Sequence, residues 1–103
     1  MKYRTQWMPQ AEAFIMSLAP DPRRAVRQAI KQLAEGKLAG LDVRPLEGSL
    51  QGYMRLRVQT YRTIYKATAE PRGPALTFVA AGPRSTIYEA FEKILAEQSS
   101  VRG

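Results

Sequence analysis

Cationic and apolar side chains alternate along Tyr53-Met54-Arg55-Leu56-Arg57-Val58-Gln59-Thr60-Tyr61-Arg62-Thr63-Ile64-Tyr65-Lys66. The stretch reads as two strands joined by a tight turn. Successive strand residues point to opposite faces, so Tyr53, Arg55 and Arg57 share one face and Met54, Leu56 and Val58 the other. One face builds a core and the other displays guanidinium groups. A planar, permanently charged guanidinium matches phosphate oxygens two at a time, so a sheet that fixes several of them is suited to gripping a phosphate backbone. Arg55, Arg57, Arg62 and Lys66 are the cations of this hairpin.

Two absences narrow the chemistry. The chain has no cysteine and no histidine, which removes thiol nucleophiles, thiolate metal sites and the usual general base near neutral pH. Any catalysis must use Arg, Lys, Tyr, Ser, Thr, Asp or Glu. The nine acidic residues are scattered, and no spacing among them predicts a magnesium site. No metal and no cofactor are expected.

The net charge of +7 is concentrated in one region. Residues 23 to 66 contain Arg23, Arg24, Arg27, Lys31, Lys37, Arg44, Arg55, Arg57, Arg62 and Lys66 against Glu35, Asp42 and Glu47. Basic and acidic residues cancel elsewhere, so this region is where a polyanion or an acidic partner should meet the protein. Arg23, Arg24, Arg27 and Lys31 fit a solvated helix face. Three arginines in strands fit that explanation poorly, because strands favour β-branched and aromatic residues.

These side chains must be positioned by a small framework. The chain of 103 residues has room for one core, so residues 1 to 103 are read as a single domain. No apolar run reaches the roughly 20 residues needed to cross a bilayer, and the start, Met1-Lys2-Tyr3-Arg4-Thr5, lacks the apolar stretch of a secretory signal. A cytoplasmic protein with no membrane partner is the expectation.

Tyr3 to Trp7 reads as a short strand, with Trp7 a packing residue. Pro9 opens a helix carrying Ala11, Phe14, Ile15 and Leu18 at helical spacing. Asp21 is read as the cap of a second helix with Pro22 at its first position; it buries Val26, Ile30, Leu33 and Ala34 and stops at Gly36. Residues 38 to 52 show neither period and read as a loop pinned by Leu41, Leu46 and Leu50. The hairpin follows, then a surface turn at Glu70-Pro71-Arg72-Gly73-Pro74. Ala75 to Ala81 is a continuous apolar strand inside the sheet. Thr86 to Gln98 is a helix buried through Ile87, Phe91, Ile94 and Leu95, and Ser99 to Gly103 is a frayed tail. The predicted fold is α+β: a twisted antiparallel sheet of about four strands, an N-terminal helical hairpin packed on one face, and a C-terminal helix.

That order resembles the RelE/ParE superfamily of bacterial toxin–antitoxin toxins over nearly the whole chain. The resemblance is carried by Trp7-Met8-Pro9-Gln10-Ala11 at the strand-to-helix junction and by Leu46-Glu47-Gly48 before the hairpin. Arg55-Leu56-Arg57-Val58 then leads to Tyr61-Arg62-Thr63-Ile64-Tyr65, and Gly82-Pro83-Arg84-Ser85-Thr86-Ile87-Tyr88 closes the match. It implies a toxin of RelE type, a ribosome-dependent messenger-RNA endonuclease. A gyrase inhibitor of ParE type without catalytic residues, or a degenerate member that only binds its antitoxin, are the alternatives within the same fold.

For the RNase branch the resemblance implies catalytic roles for Arg62, Arg84 and Tyr88, and RNA or phosphate contacts for Arg55 and Arg57, with Lys66 beside them. Many active members have a basic or histidine residue where Pro83 stands, which removes one proton-transfer group. The implied partners are a cognate antitoxin, the ribosome and messenger RNA, with operator DNA met only through the antitoxin complex. The 2′-hydroxyl of the RNA would attack the adjacent phosphorus, so the protein would supply in-line geometry, charge stabilisation and proton transfer. Tyr88 is then the general base or a base-stacking group. Tyr61 and Tyr65 are read as core aromatics.

Overall fold

In the computed structural model, residues 2–101 are described, with side chains through Gln98. A five-stranded sheet is built from β1 (Arg4–Trp7), β2 (Asp42–Pro45), β3 (Met54–Val58), β4 (Tyr61–Glu70) and β5 (Gly73–Gly82) in the order β1-β5-β4-β3-β2. Helices α1 (Pro9–Met16) and α2 (Pro20–Ala34) cover one face, and α3 (Thr86–Val101) lies on the other. The expected α+β class and the helix placement therefore hold.

Four details differ from the sequence reading. The sheet has five strands because β2 forms inside the segment read as a loop. It is an edge strand of four residues ending in Pro45, too short to show alternation and tolerant of a missing N–H on its outer side. The sheet is also mixed, since β1 runs parallel to β5 while the other pairs are antiparallel. Helix α2 begins at Pro20, with Ala19 at the cap position and no side-chain cap. Asp21 instead sits in the first turn, where its carboxylate complements the positive end of the helix dipole. Finally, α3 continues to Val101 through most of the expected frayed tail; Arg102 and Gly103 lie outside the described residues.

The two apolar faces of the sheet make two cores. Ile15, Val26, Ile30 and Leu33 of the helical hairpin pack on Leu56, Tyr65, Leu76 and Phe78, with Phe14, Leu18, Met54, Val58 and Tyr61 partly buried around them. Trp7 stacks on Phe78 at 4.6 Å and 18°. On the other side Leu50, Ile64, Ala80, Ile87 and Phe91 form a smaller cluster. Leu56, Ile64 and Phe78 are fully buried, each contributing about 1.5–3 kcal/mol from burial alone. The buried residues thus divide into two clusters where the sequence reading has one core, and Ile94, read as part of the apolar stripe of the last helix, is exposed.

One irregularity fixes the faces. Between β4 and β5 the pairing runs Ile64↔Ala80 and then Tyr65↔Phe78, leaving Val79 without a partner. This bulge puts both Val79 and Ala80 on the α3 side, where they join the smaller core. A one-residue shift moves every later side chain to the opposite face. As a result Gly82, and not Ala81, stands opposite Arg62.

Candidate functional site

Strand register gathers the arginines. Arg57 of β3 faces Arg62 of β4 directly, and Arg62 in turn faces Gly82 at the end of β5. Directly opposed residues share a face with Cα atoms about 4.5–5.5 Å apart, so the two arginine side chains leave adjacent positions on the α3 side. Such a pair of like charges opposes folding unless an anion or solvent compensates it. Asp42 stands across from Arg57 and Arg44 across from Arg55, extending the same face onto β2.

The hairpin tip supports this geometry. Val58 pairs with Tyr61, and the intervening Gln59 has φ 57°, a left-handed conformation that costs a non-glycine residue about 1–2 kcal/mol. Arg57 Nε donates to the Gln59 carbonyl at 3.1 Å and Arg62 Nη1 to the Thr60 carbonyl at 3.4 Å. Each guanidinium uses one of its five N–H groups on the turn.

Arg84 lies two residues beyond Gly82, in the exposed link between β5 and α3. Two contacts hold this corner. Gln10 of α1 receives the Ala81 N–H on its side-chain oxygen and donates its amide to the Ala81 carbonyl, both at 2.9 Å. The side chain thereby replaces the neighbouring strand where β1 has ended. On the other side, a Cβ at Gly82 would fall 3.0 Å from Cβ of Ile87, so the glycine lets the first turn of α3 approach the strand. That turn carries Tyr88, half-buried against Leu50, Ile64, Ala80, Ile87 and Phe91. Its ring has a packing role whatever its hydroxyl does.

Two predicted contacts stand apart from this corner. Arg55 is directed to the α3 face as expected, but its Nη2 is bonded to Asp42 Oδ1, its side chain is 13% exposed, and its Nε is buried without a partner. Arg44 Nε lies 3.8 Å from the same carboxylate oxygen. Lys66 is exposed on the same face, about 13 Å from Arg62 along β4, with its Nζ 5.5 Å from the centre of the Tyr53 ring. Tyr53 meets Phe91 edge-on at 5.0 Å. Ile64 therefore separates the cation at Lys66 from the arginine corner. Arg57, Arg62 and the Gly82–Arg84 link are brought to one end of the sheet; Lys66 is not.

The sequence reading did not single out Gln10 or Asp42 individually. Gln10 carries no local signal, since its partner is 71 residues away. Asp42 could have been noticed in the alternation Asp42-Val43-Arg44, had that segment been read as a strand. The basic region also divides. Arg23, Arg24, Arg27 and Lys31 belong to α2, on the side of the sheet opposite the hairpin arginines. Arg24 lies 3.7 Å from Asp21 on the exposed helix surface. A surface hollow of about 550 Å³ lies between β1 and α2, bounded by Tyr3, Trp7, Arg27, Ile30 and Ala34, and contains none of the candidate site residues.

No group of three or more carboxylates placed to hold a metal ion occurs among the described residues, and no helix among them is long and apolar enough to cross a membrane. No family model matches the chain, and no curated protein matches it. Solved structures do. A chain of the toxin–antitoxin complex RelBE2 from Mycobacterium tuberculosis is 22% identical with a TM-score of 0.63, over 82% of this chain and 100% of that one. A chain of the archaeal RelE–RelB complex from Pyrococcus horikoshii OT3 is 24% identical with a TM-score of 0.62, over 82% and 98%. The YoeB/ParE toxin from Agrobacterium tumefaciens is 20% identical with a TM-score of 0.58, over 76% and 94%. With five strands, two helices on one face and one on the other, the chain has the fold shared by these RelE- and YoeB/ParE-type proteins.

Proposed function

We propose that this protein is the toxin of a toxin–antitoxin pair and that it acts as an endoribonuclease on messenger RNA held by the ribosome. The observation that carries the reading is the Arg57–Arg62 pair, opposed across β3 and β4 at the end of the sheet where β5 delivers Arg84 and α3 begins. An open sheet corner with several charged N–H donors suits an extended backbone phosphate better than a small enclosed ligand.

Within this reading Arg62 and Arg84 hold the scissile phosphate. The 2′-oxygen attacks phosphorus, the bond to the 5′-oxygen breaks and that oxygen takes a proton from water, and the products are a 2′,3′-cyclic phosphate and a 5′-hydroxyl. Arginine donors aimed at the developing negative charge lower the barrier, each worth about 10²–10³ in rate by analogy with oxyanion donors. Tyr88 takes the 2′-hydroxyl proton or stacks on a base. Arg57 stabilises the departing oxygen electrostatically, since a guanidinium stays charged and is a poor acid. Catalysis then depends on a surface that presents the RNA in line, which is the role given to the ribosome. The antitoxin is an acidic or amphipathic segment that orders on this basic face, covering Arg62 and Arg84 or displacing α3.

The class of activity is tested by inducing the protein in cells and mapping both RNA and DNA ends. New 5′-hydroxyl ends within translated reading frames are expected, with chromosomal DNA intact. Gyrase-linked double-strand breaks with unbroken messenger RNA would replace this reading with that of a gyrase inhibitor.

A further inference from the structure

One carboxylate stands among the guanidiniums of the α3 face, beside the candidate corner. Asp42 bonds Arg55, lies 3.8 Å from Arg44, and is opposite Arg57 in the β2–β3 pairing. We propose that Asp42 is an internal anion that keeps Arg55 from the substrate and so limits how many RNA phosphates this face can bind. The proposal rests on the RNA reading above and names a positioning residue on the same face.

Three observations support it. First, the Arg55 side chain is 13% exposed and its Nε is buried without a hydrogen-bond partner. A guanidinium withdrawn this far from water needs a counter-charge, and Asp42 supplies it. Second, the Asp42 side chain is itself 43% exposed, so the anion sits at the solvent edge, where a phosphate oxygen could stand in its place. Third, Arg55 is next to Arg57 on the same face of β3, one residue removed from the Arg57–Arg62 pair. A strand-stapling role alone accounts for the ion pair but not for a buried donor left open beside two further arginines.

The experiment measures binding of an uncleavable 2′-O-methyl RNA 12-mer to the full chain between 50 and 300 mM salt. Asp42→Asn keeps the shape and the hydrogen-bond acceptor while removing the charge. If Asp42 masks Arg55, this variant binds about fivefold tighter near 0.1 M salt, and its log K against log salt steepens by about 0.7, the signature of one more phosphate contact on a single strand. Adding Arg55→Gln should return both quantities to the parent values. Glu70→Gln is the control: it is on the same face of β4 but about 26 Å from Arg62, beyond a Debye length of about 10 Å, and should change neither.

If the parent binds RNA through Arg62 while Asp42→Asn changes only thermal stability, leaving affinity and slope as they were, Asp42 is a structural staple and the proposal is overturned alone. An equal gain in Glu70→Gln would also overturn it, because the effect would be general charge. Absence of RNA binding in every protein would overturn it together with the RNA reading.

Discussion

Arg55, Arg57, Arg62 and Lys66 share one face of this sheet, and their surroundings separate them more than their charge does. Arg57 and Arg62 are held by turn carbonyls. Arg55 is neutralised by Asp42, and Lys66 rests on an aromatic ring at the far end. Replacing Arg62 with lysine keeps the charge and loses the fork, so partial activity is expected in RNA cleavage assays, between that of the parent and that of alanine. Tyr88→Phe separates two roles. The ring packs in either case, so thermal stability should be nearly unchanged; a loss of cleavage above about 100-fold assigns proton transfer, and a small loss assigns stacking.

At the scale of the elements, the corner is made by contacts that act across long sequence separations. Gly82→Ala should destabilise the protein by about 1–3 kcal/mol, since the added methyl meets Ile87 Cβ at 3.0 Å and overpacking of this kind forces a backbone shift. Thermal unfolding would show it as a lower midpoint, with cleavage activity falling as α3 moves. Gln10→Leu leaves the Ala81 N–H and carbonyl without their 2.9 Å partners. Hydrogen exchange at Ala81 should accelerate, and the cleavage proposed for the Arg84 corner should decline with it.

Much of this level was readable in advance. The Phe14, Ile15, Leu18 and Val26, Ile30, Leu33 stripes and the Arg55/Arg57 alternation are local periods that burial enforces. The bulge at Val79, strand β2 and the parallel pairing of β1 were not readable. The bulge and the parallel pairing depend on partners elsewhere in the chain and leave no periodic trace in their own residues, while β2 is too short for its pattern to stand out. The same distinction holds for the site: the arginines announced themselves by type, while the acceptor that occupies Arg55 lay in a segment without a period.

For the molecule as a whole, the concentrated charge lies on two sides of the sheet, with the α2 cations on one and the hairpin arginines on the other. The second side carries the proposed chemistry. The core between sheet and helical hairpin also sets an alkaline limit. Burial, with a smaller contribution from Tyr3, pushes the Tyr65 phenol above its ordinary value of 10.0. The unfolded chain therefore ionises this tyrosine first. Stability from this group is fully present below about pH 10 and falls as pH rises through the folded-state value. Denaturant titrations should show a loss of stability above about pH 10 that is reduced in Tyr65→Phe.

The central claim is that a phosphate-binding corner of Arg62 and Arg84 makes this fold an RNase. Single-turnover cleavage of ribosome-bound messenger RNA by purified parent, Arg62→Ala and Arg84→Ala proteins tests it most directly, with melting curves taken on the same samples. The account predicts that each substitution slows cleavage by about 10²–10³ while shifting the melting midpoint by only a few degrees, because neither side chain is part of either core. Parent-like cleavage by both variants, or no cleavage by the parent on programmed ribosomes, would contradict it.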